Sequence, residues 1–303
     1  MSVATKSARE TVEVISKSGR DRDRNLTSML FLIGLWFSLF FGVMVLVVLI
    51  VDTAISGASR FDGDLITGYG SRVSPETTGF RAGILGSVWL MAFTALFAVP
   101  LGIAAAIYFE EFSDQTKWYN RVLEVNLQNL AAVPSIVYGL LAVAVMALMG
   151  FQQTGVVLGG AIALALLILP VIIITTREAL RAVPAEIRQG SLALGATMWQ
   201  TTWRQTLPSA IPGISTGTIL GLSRAIGEAA PLVVVGIAGS VRFDPTGLAS
   251  QITALPIQIY TLTSESREAY QTAASAAIIV LLVMILSLNG LAIYIRNKFQ
   301  RSW

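Results

Sequence analysis

Residues 177–213 read REALRAVPAEIRQGSLALGATMWQTTWRQTLPSAIPG, a polar interval between two long apolar ones. Arg177 to Arg181 prolongs the helical pattern arriving from upstream. Val183-Pro184 ends it, because a proline pushes the residue before it out of the helical region. Ala185 to Leu194 reads as a short helix opened by Pro184, with Glu186 in its first turn where an acid suits the helix dipole. Gly195 supplies the backbone freedom to turn out of that helix. Thr197 is placed to cap another helix, which carries Trp199 and Trp203 one turn apart on one face. Leu207-Pro208 is expected to stop it before the next apolar run. Two short helices at a glycine corner make a knob. It suits a groove on another protein as well as it suits a lipid surface with both tryptophans as headgroup anchors.

Outward from this interval the chain is apolar on the scale of a membrane. A bilayer core of about 30 Å takes roughly 20 apolar residues in helical form. Six stretches have that length: about Met29 to Val51, Ile84 to Tyr108, Leu130 to Met149, Val156 to Thr176, Ile214 to Ala238 and Ala274 to Ile295. Pro100 and Pro170 fall inside two of them, which membrane helices tolerate when neighbours satisfy the freed carbonyls. The expected fold is all-α, a polytopic membrane protein of six transmembrane helices. The expected organisation is a tail (1–28), a first helix (29–51), an outer segment (52–82), a core (83–296) containing the loop 177–209, and a short C-terminal end (297–303).

Composition agrees. The 303 residues are 54% hydrophobic and only 13% charged, against about 25% charged in a soluble domain. There is no Cys and no His, which excludes disulfides, thiolate or imidazole metal sites, and Ser-His or Cys-His catalytic pairs. No basic face with interleaved aromatics appears, so nucleic acid is not an expected partner. The 21 Lys and Arg are distributed three to one in favour of the side that holds the tail, the loop 177–209 and the C-terminus. That bias puts both termini in the cytoplasm. No GxxxxGK[ST] phosphate loop is present, so ATP binding is not expected of this chain.

Charge inside the fifth stretch is the exception. Arg224 and Glu228 stand four residues apart, on one helical face where they can neutralise each other. An unpaired Arg at the bilayer centre costs about 2.5–3.5 kcal/mol on insertion scales. Gly213, Gly217 and Gly221 repeat every four residues just upstream, permitting close helix approach. Continued, that stripe is expected to lead into Arg224 and Glu228 and to face a protein interior or a wet pore. A salt bridge holding two helices, an anion path and a proton relay through Glu228 all remain open on these residues. Arg suits an oxyanion, since its fork gives two parallel hydrogen bonds and keeps its proton.

Three stretches resemble a known family. Gly195, eleven residues, then Leu207-Pro208 is the spacing of the cytoplasmic loop of ABC importer permeases. The three positions usually Glu-Ala-Ala in that family are here Gln189, Gly190 and Ser191. Ala193-Leu194-Gly195-Ala196-Thr197 and Trp199 look like its phosphate branch. Arg224-Ala225-Ile226-Gly227-Glu228 with Pro231-Leu232, and Val133-Pro134-Ser135-Ile136-Val137-Tyr138-Gly139-Leu140, resemble the signatures of phosphate importer permeases, the Pro231-Leu232 ending favouring the A-type subunit over the C-type.

The resemblance implies a type I importer permease fold (MetI-like) in a bacterial inner membrane, and no catalysis by the chain itself. It implies a C-type phosphate permease subunit as partner, two copies of an ABC ATPase, and a periplasmic or lipid-anchored phosphate-binding protein. It implies that Arg224 lines the phosphate path with Glu228 as its partner, and that Pro134, Ser135 and Tyr138 lie in the pore region. Those three residues equally suit a kink, a helix-start cap and an interfacial ring. It also implies that Gln189, Gly190, Ser191, Leu194, Gly195, Ala196, Thr197, Leu207 and Pro208 form the ATPase-coupling surface. A permease for sulfate, molybdate or phosphonate, a proton-coupled secondary transporter, and a membrane sensor or scaffold are the rival readings.

Overall fold

The computed structural model describes residues 26–71, 73–114 and 116–299. The expected N-terminal tail lies almost wholly outside the described residues, as does the last part of the C-terminal end. Among the described residues the chain is built of helices, with one isolated bridge between Val156 and Gln251. It falls into two units, 1–52 and 53–303.

The first unit holds most of α1 (Leu26–Gly57), whose described side chains there are all exposed. A helix this apolar all round, with no polar face, suits lipid rather than water.

The second unit opens with a short helix, α2 (Gly63–Thr67), and continues with α3 (Arg81–Ile107), α4 (Trp118–Ala131), α5 (Ser135–Leu148) and α6 (Val157–Arg181). Then come α7 (Ala185–Ala193), α8 (Met198–Thr201), α9 (Leu207–Ile226), α10 (Ala230–Val235), α11 (Leu255–Thr263) and α12 (Glu268–Phe299). The core is centred on α6, which packs against α3 and α9. Leu164, Ile168 and Ile172 are sealed there with Leu90 and Ala98 of α3 and Ala225 of α9. Small residues set the spacing: a Cβ on Gly102 would meet Ile172, and one on Gly160 would meet Leu90.

Two expected spans are broken. The third, expected as continuous over 130–149, is instead α4 and α5, bent by 111° at Ala132-Val133-Pro134. Pro134 has no N–H to continue α4, and it holds an extended conformation (φ −55°, ψ 136°) from which α5 starts afresh. The fifth, expected over 214–238, begins earlier as α9, breaks at Gly227-Glu228-Ala229, and resumes as the six-residue α10. Gly236 then turns the chain out at φ 87°. Among the described residues four helices are long and apolar enough to cross a membrane, or five if α4 and α5 count as one span. Gly, Ser and Thr make α9 less apolar than α1, α3 and α6.

Leu207-Pro208 does not stop a helix, contrary to expectation. Helical backbone runs from Met198 through a π turn (Thr202–Thr206) directly into α9, with Pro208 in its first turn. The wider turn, in which Leu207 N–H donates to Thr202 O, accommodates the proline. A second π turn (Tyr108–Phe112) extends α3.

On the opposite side, polar contacts fasten the connections. Arg81 donates to Asp244 (Nη2–Oδ2 2.6 Å), and the Tyr69 hydroxyl donates to the same carboxylate at 3.1 Å. Arg60, nearly buried, donates to the carbonyls of Pro75 and Thr78.

Candidate functional site

The two breaks face one another. Val133 and Tyr138 from the first join Ala225, Ala229 and Leu232 from the second in one apolar cluster. Contact is backbone-close, since a Cβ on Gly139 would stand 2.7 Å from Pro231 O and 2.9 Å from Val234 Cβ. The Tyr138 hydroxyl donates to Leu130 O at 2.6 Å, from α5 back to the last turn of α4. It thereby clasps the bend and satisfies a carbonyl that the broken helix frees. The ring is 5% exposed, so Tyr138 serves the shape of the break and does not line an open surface in this chain. Pro134 is exposed and stands at the N-cap of α5; Ser135 is half-buried and makes no capping hydrogen bond.

Arg224 occupies the last turn of α9, where a cation suits the helix dipole, and Glu228 stands just before α10, where an anion does. The Arg224 Nε donates to Glu228 Oε1 at 3.4 Å. Their side chains are 46% and 23% exposed. Among the described residues neither Nη of Arg224 has a protein acceptor. A guanidinium held at one nitrogen by its own glutamate therefore presents its remaining fork outward, as bidentate capture of an oxyanion requires.

Gly213, Gly217 and Gly221 lie against α6: an added Cβ would meet Ala179 at Gly213 and Thr175 at Gly217, and would stand 3.5 Å from Ile172 at Gly221. Arg224, three residues on, keeps to the same helical face but is exposed, whereas Gly217 and Gly221 are buried. The helix ends at Ile226, so Glu228 stands beyond it. The glycines serve packing against α6.

At the other end, the loop forms a helix corner. Gly195 turns at φ 83°, with open space where a side chain would stand. Thr197 closes a capping box, its hydroxyl accepting from Gln200 N and its N–H donating to Gln200 Oε1. Ser191 and Thr201 share a 2.9 Å hydroxyl contact that ties the two helices together. Trp199 packs between Trp203 (5.3 Å) and Phe112 (5.9 Å), tilted against both rings. Gly190, Ser191, Leu194, Gly195 and Ala196 border one open depression with Gln200 and Arg204. Leu194 is 91% exposed. Gln189 is exposed on α7, Thr197 is exposed at the start of α8, and Leu207 and Pro208 are half-buried at the start of α9.

Sequence reasoning missed the acids that anchor this corner. Glu110 and Glu111, on the π turn after α3, accept from Arg177 (3.3 Å), Arg181 (2.8 Å) and Arg188 (2.9 Å). Arg177 also reaches Glu124 of α4 at 3.0 Å. An acidic doublet at the end of an apolar helix was the available signal, but its partners lie 67 to 77 residues away.

Discontinuous apolar helices meeting at a charged pair, with a solvent-facing helix corner on the same chain, define a membrane transport subunit. Residues 98–301 match the family described as "Binding-protein-dependent transport system inner membrane component", and the chain belongs to it. Among its relatives, the "Phosphate transport system permease protein PstA 1" of Mycobacterium tuberculosis (strain CDC 1551 / Oshkosh) is 36% identical over 220 residues, 72% of this chain and 70% of that protein. The "Phosphate transport system permease protein PstA" of Yersinia pestis is 31% identical over 258 residues, 84% of this chain and 85% of that one. The fold resembles a chain in the crystal structure of a bacterial alginate ABC transporter bound to its alginate-loaded periplasmic protein. That match has a TM-score of 0.63 at 17% identity, covering 94% of this chain and 98% of that chain. Membership makes this chain a membrane subunit of a transport system that depends on a binding protein.

Proposed function

We propose that the chain is the A-type permease subunit of an ATP-driven importer of inorganic phosphate, and forms half of the translocation pore. One observation carries the substrate class: the Arg224 fork, pinned by Glu228 at a helix break and free to accept an oxyanion on both Nη atoms. The names of the relatives narrow the oxyanion to phosphate. A second, C-type permease subunit supplies the other half of the pore. A periplasmic or lipid-anchored phosphate-binding protein delivers the anion to the outer segments.

Two ATPase subunits seat on the corner formed by Gln189, Gly190, Ser191, Leu194, Gly195, Ala196 and Thr197, with Leu207-Pro208 carrying the motion into α9. ATP is hydrolysed on those subunits, and this chain contributes differential affinity for phosphate between two states. Glu228 partly offsets the arginine's charge, so the anion is released after each cycle. Both termini lie in the cytoplasm of a bacterium, with the chain in its inner membrane.

The test is phosphate uptake into vesicles holding the whole complex, with and without ATP. Uptake that needs ATP and is not displaced by excess sulfate or molybdate supports the proposal. Uptake that continues without nucleotide overturns it in favour of a secondary transporter. Displacement by another tetrahedral anion reassigns the substrate.

A further inference from the structure

Three arginines and three glutamates gather where α3 ends, α4 begins and α6 turns into α7. Glu110 and Glu111 sit at the C-terminal end of an apolar helix, where the dipole disfavours them. Their side chains are only 10% and 4% exposed, so they need partners. Arg177 and Arg181, one turn apart on α6, each pair with both Glu110 and Glu124. Arg188 of α7 pairs with Glu111 and donates to the carbonyls of Val183 and Leu180, which fixes the α6–α7 corner. The set is electrically neutral, and planar forks resist rotation where an apolar contact would slide.

α4 runs alongside α6 but is mostly exposed. It buries a single side chain, Asn120, whose amide donates back to Asp114 O in its own approach loop. Among the described residues, Glu124 makes the side-chain hydrogen bonds and ion pairs that join α4 to α6. Three residues after α4 ends, the chain passes Val133-Pro134 and enters the broken region beside Arg224.

We propose that Glu110, Glu111 and Glu124 are positioning residues that lock the loop 177–209 to α4, so that a push on the loop is delivered to the Val133-Pro134 break. The lock lets one chain answer an ATPase stroke at a helix remote from the docking face. This rests on the ATP-driven reading above.

The test uses the assembled transporter in vesicles and reads phosphate uptake and ATP hydrolysis on the same sample. Glu124→Gln, on a residue that is 37% exposed and foldable, is expected to lower uptake per ATP hydrolysed by about five- to tenfold while hydrolysis persists. Glu111→Arg and Arg188→Glu are each expected to uncouple, and the double reversal to regain part of the ratio, since it restores the ion pair but not the donors to Val183 O and Leu180 O. Should both single reversals fail to assemble, Glu124→Gln decides alone. An unchanged ratio in assembled Glu124→Gln complex overturns the inference, as does a loss of assembled complex with no change in ratio, the mark of structural glue. If the wild-type sample shows no ATP-dependent uptake, the failure belongs to the functional reading instead.

Discussion

Arg224 is tethered by one hydrogen bond, and among the described residues its remaining donors are unclaimed. At membrane depth, where the proposed pore puts it, such a group is expensive and calls for a ligand or a wet surface. Replacing it with Ala removes the fork, and with Lys keeps the charge but loses the paired geometry. Uptake is expected to fall by about two orders of magnitude in Arg224→Ala and by about tenfold in Arg224→Lys, given the extra strength of bidentate ion pairs; initial rates of labelled phosphate uptake measure both. On the other side, Asp244 gives a pH signature. The hydrogen bond from Arg81 holds its carboxyl below the usual carboxylate range, with burial opposing and the Tyr69 hydroxyl assisting. A carboxylate with a lowered folded pKa stabilises above its unfolded pKa, about 3.9, and that contribution is lost as pH falls through the folded value. Amide exchange around residues 240–250 is expected to speed up only below about pH 4, and to be fast already at neutral pH in Asp244→Asn.

At the scale of elements, the breaks matter more than the spans. Gly139 lets α5 lie on the backbone of α10, with no room for a side chain. Gly139→Val is expected to cost about 1–3 kcal/mol through overpacking, seen as a lowered melting temperature of the purified complex and a loss of its assembled fraction. What could be read from the sequence divides along the same line. Gly195 and Thr197 were legible because turn and cap chemistry acts within three residues. The bend at 132–134 and the gap at 227–229 were not, since apolar length alone counts α4–α5 and α9–α10 as single spans. Pro134 and Gly227 marked both places without saying how far the chain turns. The stripe of Gly213, Gly217 and Gly221 was legible as packing and reaches Arg224 on the same face, but the end of the helix at Ile226, which leaves Glu228 beyond it, was not legible. The ties from Glu110, Glu111 and Glu124 to the arginines were invisible, because pairing across such separations is decided by the fold and not by local pattern.

The second unit has one polar end formed by the helix corner at Gly195 and another stitched by Arg60 and the Arg81–Asp244 pair. Which end faces the cytoplasm is open to a direct measurement, because the chain has no native thiol. With Ser266→Cys, an impermeant maleimide is expected to label intact cells; with Ser302→Cys, it is expected to label only after permeabilisation. The reverse pattern inverts the proposed orientation. The π turn at Thr202–Thr206 bears on this whole-body geometry too. It works like slack in a belt: one surplus residue is taken up within a single turn, so the corner leaves its stem at nearly the azimuth of an uninterrupted helix. Removing Gln205 would tidy the backbone into an ordinary α-helix and leave Trp199 and Leu194 on their present side. Circular dichroism and co-purification of the proposed ATPase are both expected to be unchanged in that deletion, whereas one residue inserted into α9 itself, worth about 100° of rotation, is expected to lose the co-purification.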